Sequence, residues 1–325
     1  MHQVPRGRVS VMHRPVLLGE VVEHLVVGLG GRYLDGTLGG AGHARAILDR
    51  AGAEARLLGL DRDGSALELA GQNLAGFAPE HVVLARGNFA DMKTLAHQHG
   101  FTRFDGILLD LGVSSMQLDR AERGFSFQHD ADLDMRMDTR SGPTAADLVN
   151  TLGEGELADL IWKLGEDRDA RRIARQLVAA RERAPLRRTG ELADVVSRAK
   201  GGRHGRIHPA TQTFQALRMA VNQELESLAQ GLDSAFELLA PGGRLGVISF
   251  HSLEDRLVKQ TLAAHVPREE SLQECGVRRV VKEPEVRWVV RKALTASDEE
   301  VEQNPRARSA KWRVVERTKA DGSES

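Results

Sequence analysis

Two rhythms of apolar and polar positions alternate along the first 110 residues. Short, nearly continuous apolar runs occur in GRYLDGT (31–37), RLLGLDRD (56–63), HVVLARGNF (81–89) and FDGILLDLG (104–112). None has the strict alternation of a strand with one wet face, so the runs predict strands covered on both sides. Between them, GHARAILDRA and SALELAGQNLAGF carry apolar residues at helical spacing. Strands separated by helices predict right-handed crossovers and a parallel sheet with helices on both faces.

From 140 to 210 the strand pattern stops. AADLVNTLGEGELADLIWKLG, RDARRIARQLVAARERA and TGELADVVSRAK read as helices, the last with Thr189 as its N-cap. TFQALRMAVNQELESLAQGLDSAFELL (213–239) predicts one long amphipathic helix, stopped by APGG. RLGVISF (244–250) resumes the strand type and LEDRLVKQTLAAH the helical one; EVRWVV and KWRVVER predict closing strands. KADGSES at the end predicts disorder. No internal repeat is visible. The division is a core of residues 1–125 and 212–325, interrupted by a helical insertion at 126–211.

Composition narrows the function classes. With 41% hydrophobic and 28% charged residues, the chain can bury a sizeable core. Its 45 basic and 46 acidic residues exclude a global nucleic-acid-binding charge, so such a role needs a local patch. One exists: RDARRIARQLVAARERAPLRR holds eight arginines against two acids, and KGGRHGR follows. The run is either a solvated helix face or a set of phosphate contacts. Cys275, the only cysteine, rules out an internal disulfide and a cysteine-based zinc site; no metal is expected. The N-terminus has no apolar run fit for a signal peptide and no segment reads as membrane-spanning, so the expected location is the cytoplasm.

The turn after the first strand, Asp35-Gly36-Thr37-Leu38-Gly39-Gly40-Ala41-Gly42-His43, fits no register of the dinucleotide fingerprint. It is closer to a degraded form of the acidic, alternating-glycine turn of class I methyltransferases, although glycines serving only a tight turn read the same way. Asp61 ends the second strand, where a carboxylate can accept both ribose hydroxyls of a nucleoside, or simply cap a helix or pair with Arg62. Phe89 follows the third strand, placed either against an adenine or in the core.

The blocks YLDGTLGGAGHARAIL, LGLDRD, DGILLDLGVSSMQLDRAERGFSF, LDMRMD, HPATQTFQALRMAVNQEL, LAPGGRLGVISFHSLEDRLVK and NPRARSAKWRVVER occur in that order. Together they resemble the bacterial small-subunit ribosomal RNA cytosine-N4 methyltransferases (the RsmH, formerly MraW, family) from His13 to Arg317. The resemblance implies an α/β class I methyltransferase fold, Rossmann-like with a seven-stranded, mainly parallel sheet and an inserted helical substrate-recognition domain. It implies S-adenosyl-L-methionine as cofactor and, as substrate, a cytosine amine in the decoding region of 16S rRNA or the small ribosomal subunit. Cofactor contacts fall on Gly40, Ala41, Gly42, His43, Asp61, Phe89, Asp110 and Gln117. The chain departs from the family at Ala41, where glycine is usual, and at Met116, where proline often precedes Gln117; the extra methyl at 41 is expected to narrow the cofactor turn.

Asp110 and His251 are the candidate catalytic residues. Asp110 ends the fourth strand where DNA amino-methyltransferases carry a proline-rich motif that is missing here; it is expected near the transferred methyl, with the target amine as a second partner. His251 could relay the departing proton, or only bond locally while Ser252 caps the helix with Asp255 at its third position. Phe125 and Phe127 read as base wedges or loop anchors, Asp134, Arg136 and Asp138 as RNA-positioning or structural charges, and His208, Thr211 and Gln212 as residues that could face the site. Two rivals remain: an RNA-binding assembly factor that keeps the fold without catalysis, and an amino-methyltransferase acting on DNA or protein.

Overall fold

The computed structural model describes residues 15–318 except 115, 116, 119, 203–207, 267, 268, 272–277 and 281–285. Met116, Cys275, His13, most of KGGRHGR and the terminal KADGSES lie outside the described residues. The core strands are β1 (Arg32–Asp35), β2 (Arg56–Asp61), β3 (Val82–Arg86), β4 (Phe104–Asp110), β5 (Leu239–Ser249), β8 (Val286–Trp288) and β9 (Lys311–Arg317). A small separate hairpin, β6 (Glu269–Ser271) with β7 (Arg278–Val280), lies between β5 and β8 in the chain. The seven core strands form one sheet in the order β3-β2-β1-β4-β5-β9-β8, in which β9 alone runs antiparallel to its neighbours.

Helices α1 (Leu18–Leu25), α2 (Gly42–Ala51), α3 (Gly64–Asn73) and α4 (Met92–Gln98) accompany the first four strands. The strands are shorter at their carboxyl ends than the apolar runs predict, because Asp35, Asp61 and Asp110 turn the chain into loops. Two large apolar clusters cover the two faces of the sheet. One gathers Leu58, Leu60, Ile107 and Leu109 with Leu228 and Leu232; the other gathers Leu57, Leu108 and Ile248 with Val21, Ile47 and Trp312. The alternation of β4 between the two clusters confirms a strand buried on both sides.

Between β4 and β5 the chain forms α5 (Ala145–Thr151), α6 (Glu154–Gly165), α7 (Ala170–Arg181) and α8 (Thr189–Ala199). A third cluster runs from Phe125, Leu133 and Met135 through these helices to Phe214, Leu217 and Val221 of α9 (Thr211–Asn222). Thr189 is not the N-cap of α8: Arg188 takes that place, and Glu191 accepts from the Arg187 and Arg188 amides. The Thr189 hydroxyl instead donates to the His129 carbonyl and accepts from the Ala131 amide.

The long helix predicted over 213–239 is two helices. Gln223, at φ 50°, breaks it into α9 and α10 (Glu224–Leu238). The break forms where the Asn222 side chain accepts from the Met137 amide (2.7 Å) and donates to the Met135 carbonyl (2.8 Å). It then leads through β5 to α11 (Ser252–His265); α12 (Asp298–Gln303) precedes the closing strand.

Candidate active site

Strand order reverses between β1 and β4, and in open parallel sheets ligands sit beyond the carboxyl ends at that point. Asp35 and Asp110 end those two strands, and Asp61 ends β2 beside them. The loop after β1 is pinned to these ends. The Thr37 amide donates to Asp35 Oδ1 (3.1 Å), the Gly39 amide to Asp61 Oδ2 (2.8 Å), and the Asp110 amide to Thr37 Oγ1 (2.6 Å).

Gly42 opens α2 against Pro15, and a Cβ there would lie 2.4 Å from the Pro15 ring. That close approach brings the Val16 carbonyl within 2.9 Å of His43 Nε2. Ala41 holds a left-handed φ of 62°, which explains the family's glycine. Its methyl is fully buried in the core.

Three carboxyls thus converge, Asp35 buried and Asp61 and Asp110 partly so. Burial pushes Asp35 up to about 7, with a further push from Asp61 against the opposing Thr37 bonds. Burial, then the charges of Asp35 and Glu254, pushes Asp110 well above the carboxylate range, and burial raises Asp61 as well. Asp110 keeps 26% of its side chain open, while its Oδ1 is buried with no hydrogen-bond partner. Its Oδ2 lies 3.6 Å from His43 Nδ1. Burial lowers His43 to about 4, so the ring is neutral; with its proton on Nε2, donated to Val16, it turns a lone pair toward Asp110. Such a cluster fits a cationic ligand with hydroxyls.

Asp61 neither caps α3 nor pairs with Arg62. Asp63 is the cap, and Arg62 reaches the Asn222 carbonyl instead. Gln117 is buried, accepting from the Ser114 amide and donating to Asp63 at 3.4 Å. The sequence reading missed Arg123, which bonds Asp63 (2.6 Å) and the carbonyls of Arg136 and Met137, joining the β2 turn to the LDMRMD segment. Phe89 lays its ring on α10, where a Cβ at Gly231 would be 2.5 Å away, and its Cβ would be 3.0 Å from a Cβ at Gly36 in the turn after β1. Gly40 is bonded through its carbonyl by Asn73.

Beyond β5, His251 itself is the N-cap of α11, and Glu254, not Asp255, closes the capping box. Glu254 Oε2 accepts from the Phe250 and His251 amides, while His251 Nδ1 faces the Glu254 amide at 3.4 Å. His251 Nε2 lies 3.0 Å from Glu254 Oε1, too poorly angled to bond. Burial raises the Glu254 carboxyl, but His251, Arg218 and the Phe250 amide outweigh it and hold the group ionised. Asp255 is spent on Lys311 and Arg313, and Ser252 on Glu166 at the end of α6. Glu224, His251 and Glu254 each offer a ligand atom within 4.8 Å of the others, but Arg218 already sets its guanidinium on Glu224 there.

The other candidates are placed as follows. Phe125 is buried, and Phe127 packs against a tilted His208 ring (4.4 Å) and meets Phe214 edge-on (4.9 Å). Asp134 clamps Arg136, and Asp138 holds Arg140 and Arg86. Gln212 donates to the Gly165 and Glu166 carbonyls, and Thr211 is exposed at the start of α9.

A model of the MraW methylase family matches residues 10–318. The chain belongs to the MraW methylase family. Two curated relatives are each called ribosomal RNA small subunit methyltransferase H. That of Geobacter sulfurreducens is 52% identical over 94% of this chain and 98% of its own length. That of Xanthobacter autotrophicus is 49% identical over 95% of this chain and 88% of its own. Among solved structures, an rRNA methylase from Streptococcus thermophilus is 9% identical with a TM-score of 0.38, over 93% of this chain and 94% of that one. As an MraW methylase the chain is a methyltransferase with a class I sheet, and its cofactor is S-adenosylmethionine. Among the described residues, no helix is long and apolar enough to cross a membrane.

Proposed function

We propose that this MraW methylase transfers a methyl group to the exocyclic N4 amine of a cytosine in the decoding region of 16S rRNA. The small-subunit rRNA substrate is supported by the names of relatives about half identical to it. The choice of atom and region rests on the resemblance of the sequence blocks. The observation that carries the chemistry is Asp110: a carboxyl at the switch point, open to the crevice, with a buried oxygen that no protein group satisfies.

Bound S-adenosylmethionine supplies an electrophilic sulfonium methyl. The Gly40–His43 turn, Asp61, Phe89, Gln117 and Asp110 are the residues that would hold it; the carboxyls suit its positive charge and its ribose. Cytosine N4 is a poor nucleophile because its lone pair is delocalised into the ring. Asp110 orients the amine by accepting a hydrogen bond from it, and such positioning supplies much of the rate. The burial that raises the Asp110 pKa also makes its ionised form a stronger acceptor for the proton that leaves once the bond forms. His251 acts after Asp110: both ring nitrogens face Glu254, so it takes up the proton only when the ring turns out of the cap.

We assign the insertion to substrate recognition. On its arginine-rich run, Arg181 bonds the Val149 carbonyl and Arg188 is held by Asp130 and Asp132, whereas Arg168, Arg171, Arg172, Arg175, Arg183 and Arg187 are exposed. Arg172 and Arg175 make only loose surface pairs with Asp169 (3.5 Å) and Glu154 (3.7 Å), which phosphates can replace. Neutralising Arg171, Arg172 and Arg175 together is expected to flatten the slope of log affinity against log salt by about 2, at about 0.7 per contact on single-stranded RNA. An unchanged slope would return these side chains to a solvated face. The function itself is tested with labelled cofactor and small subunits, free 16S RNA, DNA or protein, followed by mapping of the modified nucleotide. Label anywhere but cytosine N4 of the rRNA refutes the assignment.

A further inference from the structure

Aromatic side chains make up only 4% of the chain. Its other tryptophans are spent on the core: Trp312 is fully buried and Trp288 packs against the apolar cluster. Trp162 is different. It lies on α6 with 56% of its surface exposed, and it is the one aromatic among the large apolar side chains that stand exposed in the described residues. The buried side of α6 is carried by Leu157 and Ile161, so the indole adds little to the helical core.

Its location is specific. One turn on, Glu166 ends α6 in a left-handed conformation, and its amide bonds the Trp162 carbonyl. The Glu166 carboxylate accepts from the Ser252 hydroxyl and from Arg256 (3.0 Å), on the first turns of the helix that His251 caps. The corner bearing Trp162 is therefore fastened to the core beside the catalytic cleft. Lys163, Arg168, Arg171 and Arg172 are exposed around the same corner. A flat apolar ring among cations, at the rim of a cleft that must receive a single unpaired base, is the arrangement that binds single-stranded nucleic acid.

We propose that Trp162 is a stacking platform for an unpaired rRNA nucleotide flanking the target cytosine, at the corner where the insertion is fastened to the His251-capped helix. This rests on the rRNA reading above. Every base has a π-face, so Trp162 contributes affinity and placement, while the choice of nucleotide stays with the cleft.

The test uses the full-length protein and a single-stranded, cytidine-containing oligoribonucleotide of about twelve residues, within the span such surfaces cover. Tryptophan emission is expected to be quenched on binding, and the quenching to disappear in Trp162→Phe while binding stays near wild type. Trp162→Ala is expected to raise the oligonucleotide Kd and the KM for small subunits about tenfold, the usual effect of losing one stacked base. Its S-adenosylmethionine affinity and its kcat at saturating subunits should not change. Wild-type Kd and KM in Trp162→Ala, or unquenched emission on bound oligonucleotide, overturns the inference alone. Quenching by assembled subunits but never by naked RNA overturns it in favour of a ribosomal protein contact. If the wild-type protein neither binds nor methylates RNA, the rRNA reading falls and takes this inference with it.

Discussion

Asp110→Asn is expected to lower methyl transfer about a hundredfold or more, the scale of losing a charged acceptor preorganised at a reacting centre, while making the unliganded protein more stable at pH 8. The two effects have opposite signs for one reason. The Asp110 carboxyl is buried against Asp35 and Glu254, and its pKa in the folded state lies well above the value in an unfolded chain. The native state therefore binds more protons than the unfolded one between those two values, and stability falls as pH rises through that window. Asn removes this penalty, so the gain in melting temperature should be large at pH 8 and small near pH 4. Its amide cannot accept the amine proton in the same way, and it offers a cation no charge. Asp35, pushed to about 7, carries a similar ionisation cost.

The same coupling predicts how the wild-type protein binds its cofactor. As pH falls from 8 to 6, Asp35 takes up a proton and the crevice loses negative charge. Calorimetry should show S-adenosylmethionine binding weaken over that range. S-adenosylhomocysteine, which lacks the sulfonium charge, should weaken less. Equal pH dependence for the two ligands would mean that the carboxyls do not sense the sulfonium. Wild-type turnover in Asp110→Asn would remove Asp110 from the chemistry.

Most of the sheet was legible in the sequence because strands buried on both faces have no choice but to be apolar. The position of Asp110 was legible for the same reason: a carboxylate closing such a run stands out. What escaped were features decided by partners distant in sequence. Thr189 and Ser252 look like helix caps, but their hydroxyls are committed to His129 and Glu166, 60 and 86 residues away. Glu254 looks like an ordinary first-turn acid, yet it is buried and holds the His251 ring. Arg123 looks like one surface arginine among many, but it ties Asp63 to the LDMRMD segment. The apolar stripe runs on from Val221 to Leu228 without a glycine or proline, so nothing local announces the break at Gln223.

That break gives the second large effect: Asn222→Ala is expected to destabilise the protein by about 2–4 kcal/mol, since it strands more than one buried polar group. Asn222 is 2% exposed, and its side chain completes the backbone of a segment in another part of the chain. Its oxygen takes the Met137 amide, and its nitrogen serves the Met135 and Arg218 carbonyls, each at 2.8 Å. Met135 is fully buried with a left-handed φ of 63°, a conformation that persists only where its surroundings enforce it. Truncation leaves the part-buried Met137 donor and the buried Met135 acceptor without their partner. Asn222→Asp separates geometry from packing: the carboxylate still accepts from Met137 but meets the Met135 carbonyl as a second acceptor, so it should be at least as damaging as alanine. The Asp61 and Asp110 anchors do not involve this side chain, so cofactor affinity in the folded fraction should stay within about twofold, well under the ~1.4 kcal/mol of a tenfold change. Methylation of small subunits should fall further, because the LDMRMD segment that Asn222 and Arg123 jointly hold lies within the 126–211 stretch assigned above to substrate recognition. Chemical denaturation and calorimetry on the same preparations check both halves. An unchanged unfolding midpoint in Asn222→Ala would show that the helix break is set by the chain around Gln223 and not by this side chain.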